Sequence, residues 1–74
     1  MFTVHIFNKK EHLFLTYEHV EKITYYDAFT ENVLTQENML SHEFQLGYDL
    51  HIFSRNGNYT VSRDLIGVIE IIKE

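Results

Sequence analysis

Val4-His5-Ile6-Phe7 and Leu50-His51-Ile52-Phe53 differ by a single aliphatic exchange and stand 46 residues apart in a chain of 74. Sliding the chain along itself by that interval extends the match. Leu13 then faces Tyr59, Leu15 faces Val61, Thr16 faces Ser62, Glu18 faces Asp64, Val20 faces Ile66 and Ile23 faces Ile69. Residues 2–28 and 48–74 thus read as two copies of one unit, with four identical positions. The alternative is chance likeness between two β-rich segments.

Both segments carry strand patterning. Phe2, Val4 and Ile6 alternate with their neighbours over residues 2–7, and Phe44, Leu46, Tyr48, Leu50 and Ile52 alternate over 44–52, so each run turns one apolar face to a core. Asn8-Lys9-Lys10-Glu11 and Arg55-Asn56-Gly57-Asn58 read as turns, the second with an Asn-Gly pair that tolerates positive φ. They lead into short strands at 12–16 and 59–62. Alternation breaks at Tyr17-Glu18-His19-Val20 and Arg63-Asp64-Leu65-Ile66. This predicts two tight turns, each with its own carboxylate accepting backbone N–H groups and each ending in a core plug, Val20 or Ile66. Strands follow at 21–27 and 67–72. Asp27, Thr30 and Asn32 predict a hairpin over 26–33 with a return strand at 32–36. The one helical candidate is 35–44, with Thr35 as N-cap and Met39, Leu40 and Phe44 at helical spacing, which limits it to a short turn near 36–42.

About six to seven short strands in one domain, residues 1–74, cannot be left as a flat sheet with a wet face. The fold class is mainly β, a small strongly bent sheet or a barrel. The strand, tight turn and last strand of Tyr59 to Ile72 are similar to the end of an SH3-like small barrel. That resemblance implies a fold and no function.

Composition removes several function classes. With no cysteine there is no disulfide, thiolate zinc site or thiol nucleophile. A domain of this size buries only roughly 60% of its unfolded surface, which points to oligomerisation or a partner as further support. Eleven acidic against six basic side chains give a net charge of -5, which repels a phosphate backbone. No apolar run approaches the roughly 18 to 20 residues of a membrane span, and MFTVHIFNKK lacks the order of a signal peptide. The expected location is the cytoplasm. Phe, Tyr, Met, Ile, Asn and Lys number 29 against 6 for Gly, Ala, Arg and Pro together, the bias of an AT-rich genome such as a low-GC Gram-positive bacterium, its phage or a mobile element.

No catalytic, cofactor or metal site is expected. His5, His12 and His19 recur every seven residues, but on strands that period alternates faces, and no His-x-His or helical His-x3-His pair exists. The equivalent His5 and His51 would have to meet across a pseudo-twofold axis to form a metal site. Glu18 and Asp64 occupy equivalent turns, and Ser41 and His42 are neighbours, yet neither pair brings an orienting group or an oxyanion hole. Gly47, Gly57 and Gly67 are too far apart for a phosphate loop. For single-stranded nucleic acid, Lys9, Lys10 and Arg55 form the one available cationic patch if their two turns lie close, beside aromatics that could stack bases.

Face arithmetic carries the main functional expectation. Phe2, Val4, Ile6, Leu13, Leu15, Ile23 and Tyr25 point inward, leaving His5, Phe7, Phe14, Thr16, Thr24 and Tyr26 outside. The second half leaves His51, Phe53, Thr60, Ser62, Val68, Glu70 and Ile72 outside. Phe7, Phe14, Tyr26, Phe53, Val68 and Ile72 are too apolar for a face left in water, unless tight closure or the helical turn covers them. With a rim of Asp27, Glu31, Glu37 and Glu43 they fit a non-enzymatic protein-binding module, an inhibitor or adaptor. Its negative charge suits a basic partner such as a nucleic-acid enzyme, in the manner of a phage anti-defence protein. The unprotected strand 44–52, unless central, would pair with a second copy, and a homodimer is expected. Two other classes remain open. One is a small-barrel binder of single-stranded nucleic acid, and the other is an oligomer that sequesters a small ligand at its interface.

Overall fold

The structure, a computed structural model, describes residues 1–45 and 47–74. Six strands form one antiparallel sheet: β1 (Phe2–Phe7), β2 (Leu13–Tyr26), β3 (Glu31–Leu34), β4 (Leu50–Ser54), β5 (Gly57–Val61) and β6 (Val68–Lys73), with a 3-10 turn at Arg63–Leu65. The order is β5-β4-β2-β1-β6, and β3 pairs with the end of β2. The 3-10 turn before the last strand stands where the sequence predicts a tight turn. Among the described residues no ladder joins β5 to β6, so the sheet is bent and open and the expected alternative of a closed SH3-like barrel is not formed.

The two predicted strands 12–16 and 21–27 are one strand of 14 residues. Instead of a tight turn at 17–20 there is a bulge, with His19 at φ 56. Phe2 pairs with Val20 while Val4 pairs with Tyr17, so β2 carries an extra residue there. A bulge of this kind sharpens the twist and bends the strand. The first half of β2 consequently pairs with β1, and the second half with β3 on one edge and β4 on the other. Tyr17 and Tyr59, on β2 and β5, come within 4.7 Å of one another across the bend. The two layers enclose Val4, Ile6, Val20, Ile23, Leu34, Leu50, Ile52 and Val61. Val20 and Ile66 are both buried plugs, as their equivalent positions imply.

The 46-residue interval is present in the pairing itself. Phe7, Ile6 and His5 of β1 stand opposite Val68, Ile69 and Glu70 of β6. Phe53, Ile52 and His51 of β4 stand opposite Lys22, Ile23 and Thr24 of β2. Adding 46 to the first set of β1 residues yields the β4 set, and subtracting it from the β6 set yields the β2 set. Each unit thus lends its first strand to the last strand of the other in one common register, an approximate twofold arrangement. The four isoleucines at repeated positions meet as Ile6–Ile69 and Ile23–Ile52.

Several local expectations are corrected. The alternating run 44–52 is a strand only from Leu50; Leu46 lies outside the described residues. Gly47 at φ 99 interrupts the run, and Phe44 and Tyr48 stack on buried Tyr25 at 5.9 and 6.2 Å. β4 is central between β2 and β5, so the edge strands with one partner each are β3, β5 and β6. The helical candidate is a hydrogen-bonded turn and no helix. Thr35 O accepts from Asn38 and Met39 N–H, Asn38 Oδ1 accepts from Thr35 N–H, and Met39 enters the core. Leu13, expected inside, is 54% exposed because the register slips between Ile6 and Phe7. Thr24, expected outside, is buried beside Val33 and His51.

The carboxylates that secure the two irregular points come from elsewhere in the chain, not from Glu18 and Asp64. Asp49 Oδ1 accepts from Arg63 N–H at 2.8 Å, and Ser62 Oγ caps the 3-10 turn. At the bulge, Glu74 accepts from His19 N–H at 2.6 Å, from Thr3 Oγ1 at 2.9 Å, and meets His19 Nδ1 at 2.9 Å. The His19 backbone N–H above all, then the His19 ring and Thr3 hydroxyl, hold the Glu74 carboxyl at about 2, against an ordinary 4.5.

Two predictions follow from these contacts. A carboxylate with a lowered folded pKa contributes stability that is complete above its ordinary value and lost as pH falls through the folded one. Thermal melts of Glu74→Gln should therefore lie below wild type at pH 6 and converge on it as pH falls from about 4.5 towards 2; a constant difference across that range would contradict the staple. Gly67 N–H donates to Phe7 O at 2.8 Å, and a Cβ there would sit 2.6 Å from the Asn8 carbonyl carbon and 2.8 Å from Lys9 Cα. Gly67→Ala should cost about 1–3 kcal/mol in denaturant titration, the usual range for overpacking, because backbone rather than a flexible side chain must move.

Candidate functional site

Among the described residues the most exposed large apolar side chain is Phe29, at 96%. It stands at the tip of the β2–β3 hairpin, where Ile23, Thr24, Tyr25 and Tyr26 pair with Leu34, Val33, Asn32 and Glu31. Asp27 builds the tip. Its N–H donates to Thr30 O at 3.0 Å, Oδ1 accepts from Phe29 and Thr30 N–H at 2.9 Å each, and Oδ2 accepts from Asn32 Nδ2 at 3.1 Å. The Phe29 N–H first, then Asn32 and Thr30, hold the Asp27 carboxyl below the usual carboxylate range. An Asx turn of this kind fixes the backbone at low entropy and leaves the side chain of Phe29 in water. Tyr26, 62% exposed, and Val33, 42% exposed, share the hairpin face with Glu31. Hydrogen bonding to Glu31, with the charge of that carboxylate, raises the Tyr26 phenol.

The apolar face read from the sequence is divided by the bend. Phe7 and Val68 are directly paired, and Phe14, 50% exposed, belongs to the same layer on β2. Ile72 lies further along β6, opposite Thr3. Tyr26 and Phe53 belong to the other layer, where Lys22 Nζ sits 4.5 Å over the Phe53 ring. Phe14 and Tyr26 remain 50% and 62% exposed; in the turn at 36–42 Met39 is buried in the core, Leu40 is 59% exposed, and His42 lines a hollow with Val68. The acidic rim also separates. Asp27 is engaged in the tip and Glu31 lies beside Tyr26. Glu37 shares a hollow with Arg55, Met1 and Glu21, and Glu43 is exposed beyond the turn.

The cationic residues occupy two hollows. Lys9 and Lys10 line one of about 400 Å³ with Asn8, Phe14, Asp64 and Leu65. Arg55 lines the hollow with Glu37 and directs its guanidinium to Met1 Sδ at 3.5 Å. Four histidines have polar partners: His5 with Glu70 at 3.9 Å, His19 with Glu74, His42 with the Tyr25 hydroxyl at 2.6 Å, and His51 with Thr60 at 3.2 Å. Ser41 Oγ donates to Asn38 O, away from His42 Nε2, which meets Tyr25. Glu18 and Asp64 line different hollows.

Sequence reasoning found the hairpin and its Asp27 but missed Phe29. The available signal was an aromatic within four turn residues, where the chain reverses before any side chain can return to the core. Leu13 and Leu65, 54% and 43% exposed, were likewise unforeseen. No protein-family model matches the chain, nor does a curated protein or a solved structure. Among the described residues no helix is long and apolar enough to cross a membrane.

Proposed function

We propose that this chain is a non-enzymatic protein-binding module of inhibitor or adaptor type, and that the β2–β3 hairpin is its contact element. The observation that carries this reading is Phe29, almost wholly exposed on a turn whose backbone is already fixed by Asp27. Burying a rigid aromatic in a partner's pocket gains apolar area at little conformational cost, the usual make-up of an interface hot spot. Tyr26, Val33 and Glu31 widen the contact around it. The net charge of -5 favours encounter with a partner whose pocket is apolar and basic at the rim. Nucleic-acid enzymes have such surfaces. The AT-rich composition and small size support the specific form of an anti-defence inhibitor encoded by a phage or mobile element and working in the host cytoplasm.

Tagged wild type and Phe29→Ala, applied to nuclease-treated lysate of a low-GC Gram-positive host, test this reading. The variant should melt within about 0.5 kcal/mol of wild type, as expected for an exposed position. Wild type should retain one near-stoichiometric protein, and Phe29→Ala should bind it about 30-fold more weakly, the loss of one hot spot. Equal retention by both proteins, or recovery of nucleic acid alone, would count against the hairpin.

A further inference from the structure

The approximate twofold supplies an internal comparison for the hollow of Lys9, Lys10, Phe14 and Leu65. Asn8, Lys10 and Asp64 in that hollow correspond, 46 residues on or back, to Ser54, Asn56 and Glu18, which line a hollow of their own with Thr16, Tyr17 and Tyr59. Each hollow lies between a turn and an irregular point, but the turns differ, with residues 8–12 separating the paired Phe7 and Leu13 and residues 55–56 separating the paired Ser54 and Gly57. Their chemistry differs. In sequence Phe14 corresponds to Thr60, which in the ladders stands opposite His51 as Thr16 stands opposite His5, and Leu65 corresponds to His19, which is engaged by Glu74. Lys9 corresponds to Arg55, which reaches Met1 instead. The lysine pair is thus confined to one of the two hollows.

Phe14 and Leu65 are 50% and 43% exposed, and Lys9 and Lys10 bring two positive charges against the single carboxylate of Asp64. The loop that presents them is held in place, because Asn8 Oδ1 accepts from Lys10 N–H at 2.9 Å and His12 N–H at 3.0 Å. On a chain with a net charge of -5, this hollow suits an acidic segment that carries a large apolar side chain. Such a segment is present in the molecule: the hairpin tip, with Phe29 exposed at the turn and Glu31 at the start of the return strand. We infer that the hollow receives the hairpin of a second copy, Phe29 seating against Phe14 and Leu65 while Glu31 faces Lys9 and Lys10. The inference rests on the hairpin being the contact element and names another copy of the chain as one partner. Because hairpin and hollow are different surfaces, the contact is head-to-tail, and it continues until a ring closes or the concentration limits it.

Sedimentation velocity from 10 µM to 1 mM, at about 50 mM and 500 mM salt, tests the pairing through two exposed variants, with the Debye length falling about threefold between them. Wild type should exceed the monomer mass at low salt and dissociate at high salt. Phe29→Ala and the double variant Lys9→Glu/Lys10→Glu should each be monomeric at low salt with unchanged thermal melts. Mixed in equal amounts, they should form a one-to-one complex and nothing larger, because Phe29→Ala retains the hollow and the lysine variant retains the hairpin. A monomeric wild type, a monomeric mixture, or variants that assemble like wild type through another surface such as the β6 edge would each overturn the pairing. A mixture that stays monomeric while Phe29→Ala still loses a captured protein would remove this inference and leave the hairpin's role intact.

Discussion

The bend of β2 at His19 is the constraint from which the remaining architecture follows. A left-handed residue with a side chain costs about 1–2 kcal/mol, and here both backbone groups of the strained residue are secured from outside its strand. Its N–H is taken by the Glu74 carboxylate and its C=O by Arg55 N–H. The bend allows one strand to serve two layers, with β1 and β6 on its first half and β3, β4 and β5 around its second. Without it, 74 residues would form a flat sheet with one face in water.

The exposed surfaces are arranged by the same bend. It divides the aromatic face into two layers, so Phe7, Phe14 and Val68 cannot act with Tyr26 and Phe53 as one surface. It also carries the end of β2 past the core layer, where β3 folds back and the chain reverses at Asp27. Phe29 therefore stands at the end of a braced hairpin, a different thing from an isolated exposed side chain on a mobile loop. Between the turn at Asn8 and the 3-10 turn, the first layer leaves a lysine-rimmed apolar hollow. An aromatic tip braced by Asp27 and a lysine-rimmed apolar hollow on one small chain are the features on which the proposed binding rests.

Much of this was legible in the sequence because it rests on period-two alternation and turn chemistry. β1, β6, the hairpin at Asp27 and the plugs Val20 and Ile66 all follow from those rules. The 46-residue interval is legible too, and the β1–β6 and β2–β4 ladders share it, while the hairpins β1–β2 and β4–β5 differ in register. What failed depended on long-range contacts. The run from Phe44 alternates well, but Phe44 and Tyr48 are held by stacking on Tyr25, which no local pattern reveals. The break at Tyr17 to Val20 is visible as a loss of alternation, and the bulge that forms there is held by Glu74, 55 residues away. Phe29 was overlooked for a different reason: alternation arguments assign residues to faces, and a residue at a turn tip belongs to neither.

A solution NMR measurement of the β2 bend tests this account most directly. The account predicts a positive φ at His19 from its backbone couplings, and cross-strand contacts linking His5 to Glu70 and His51 to Thr24 in matching registers. An extended His19 with uninterrupted pairing of β1 along residues 17–20, and no contact between Arg55 and His19, would contradict it. In that case β2 would not serve two layers, and the placement of both hairpin and hollow would lose its basis.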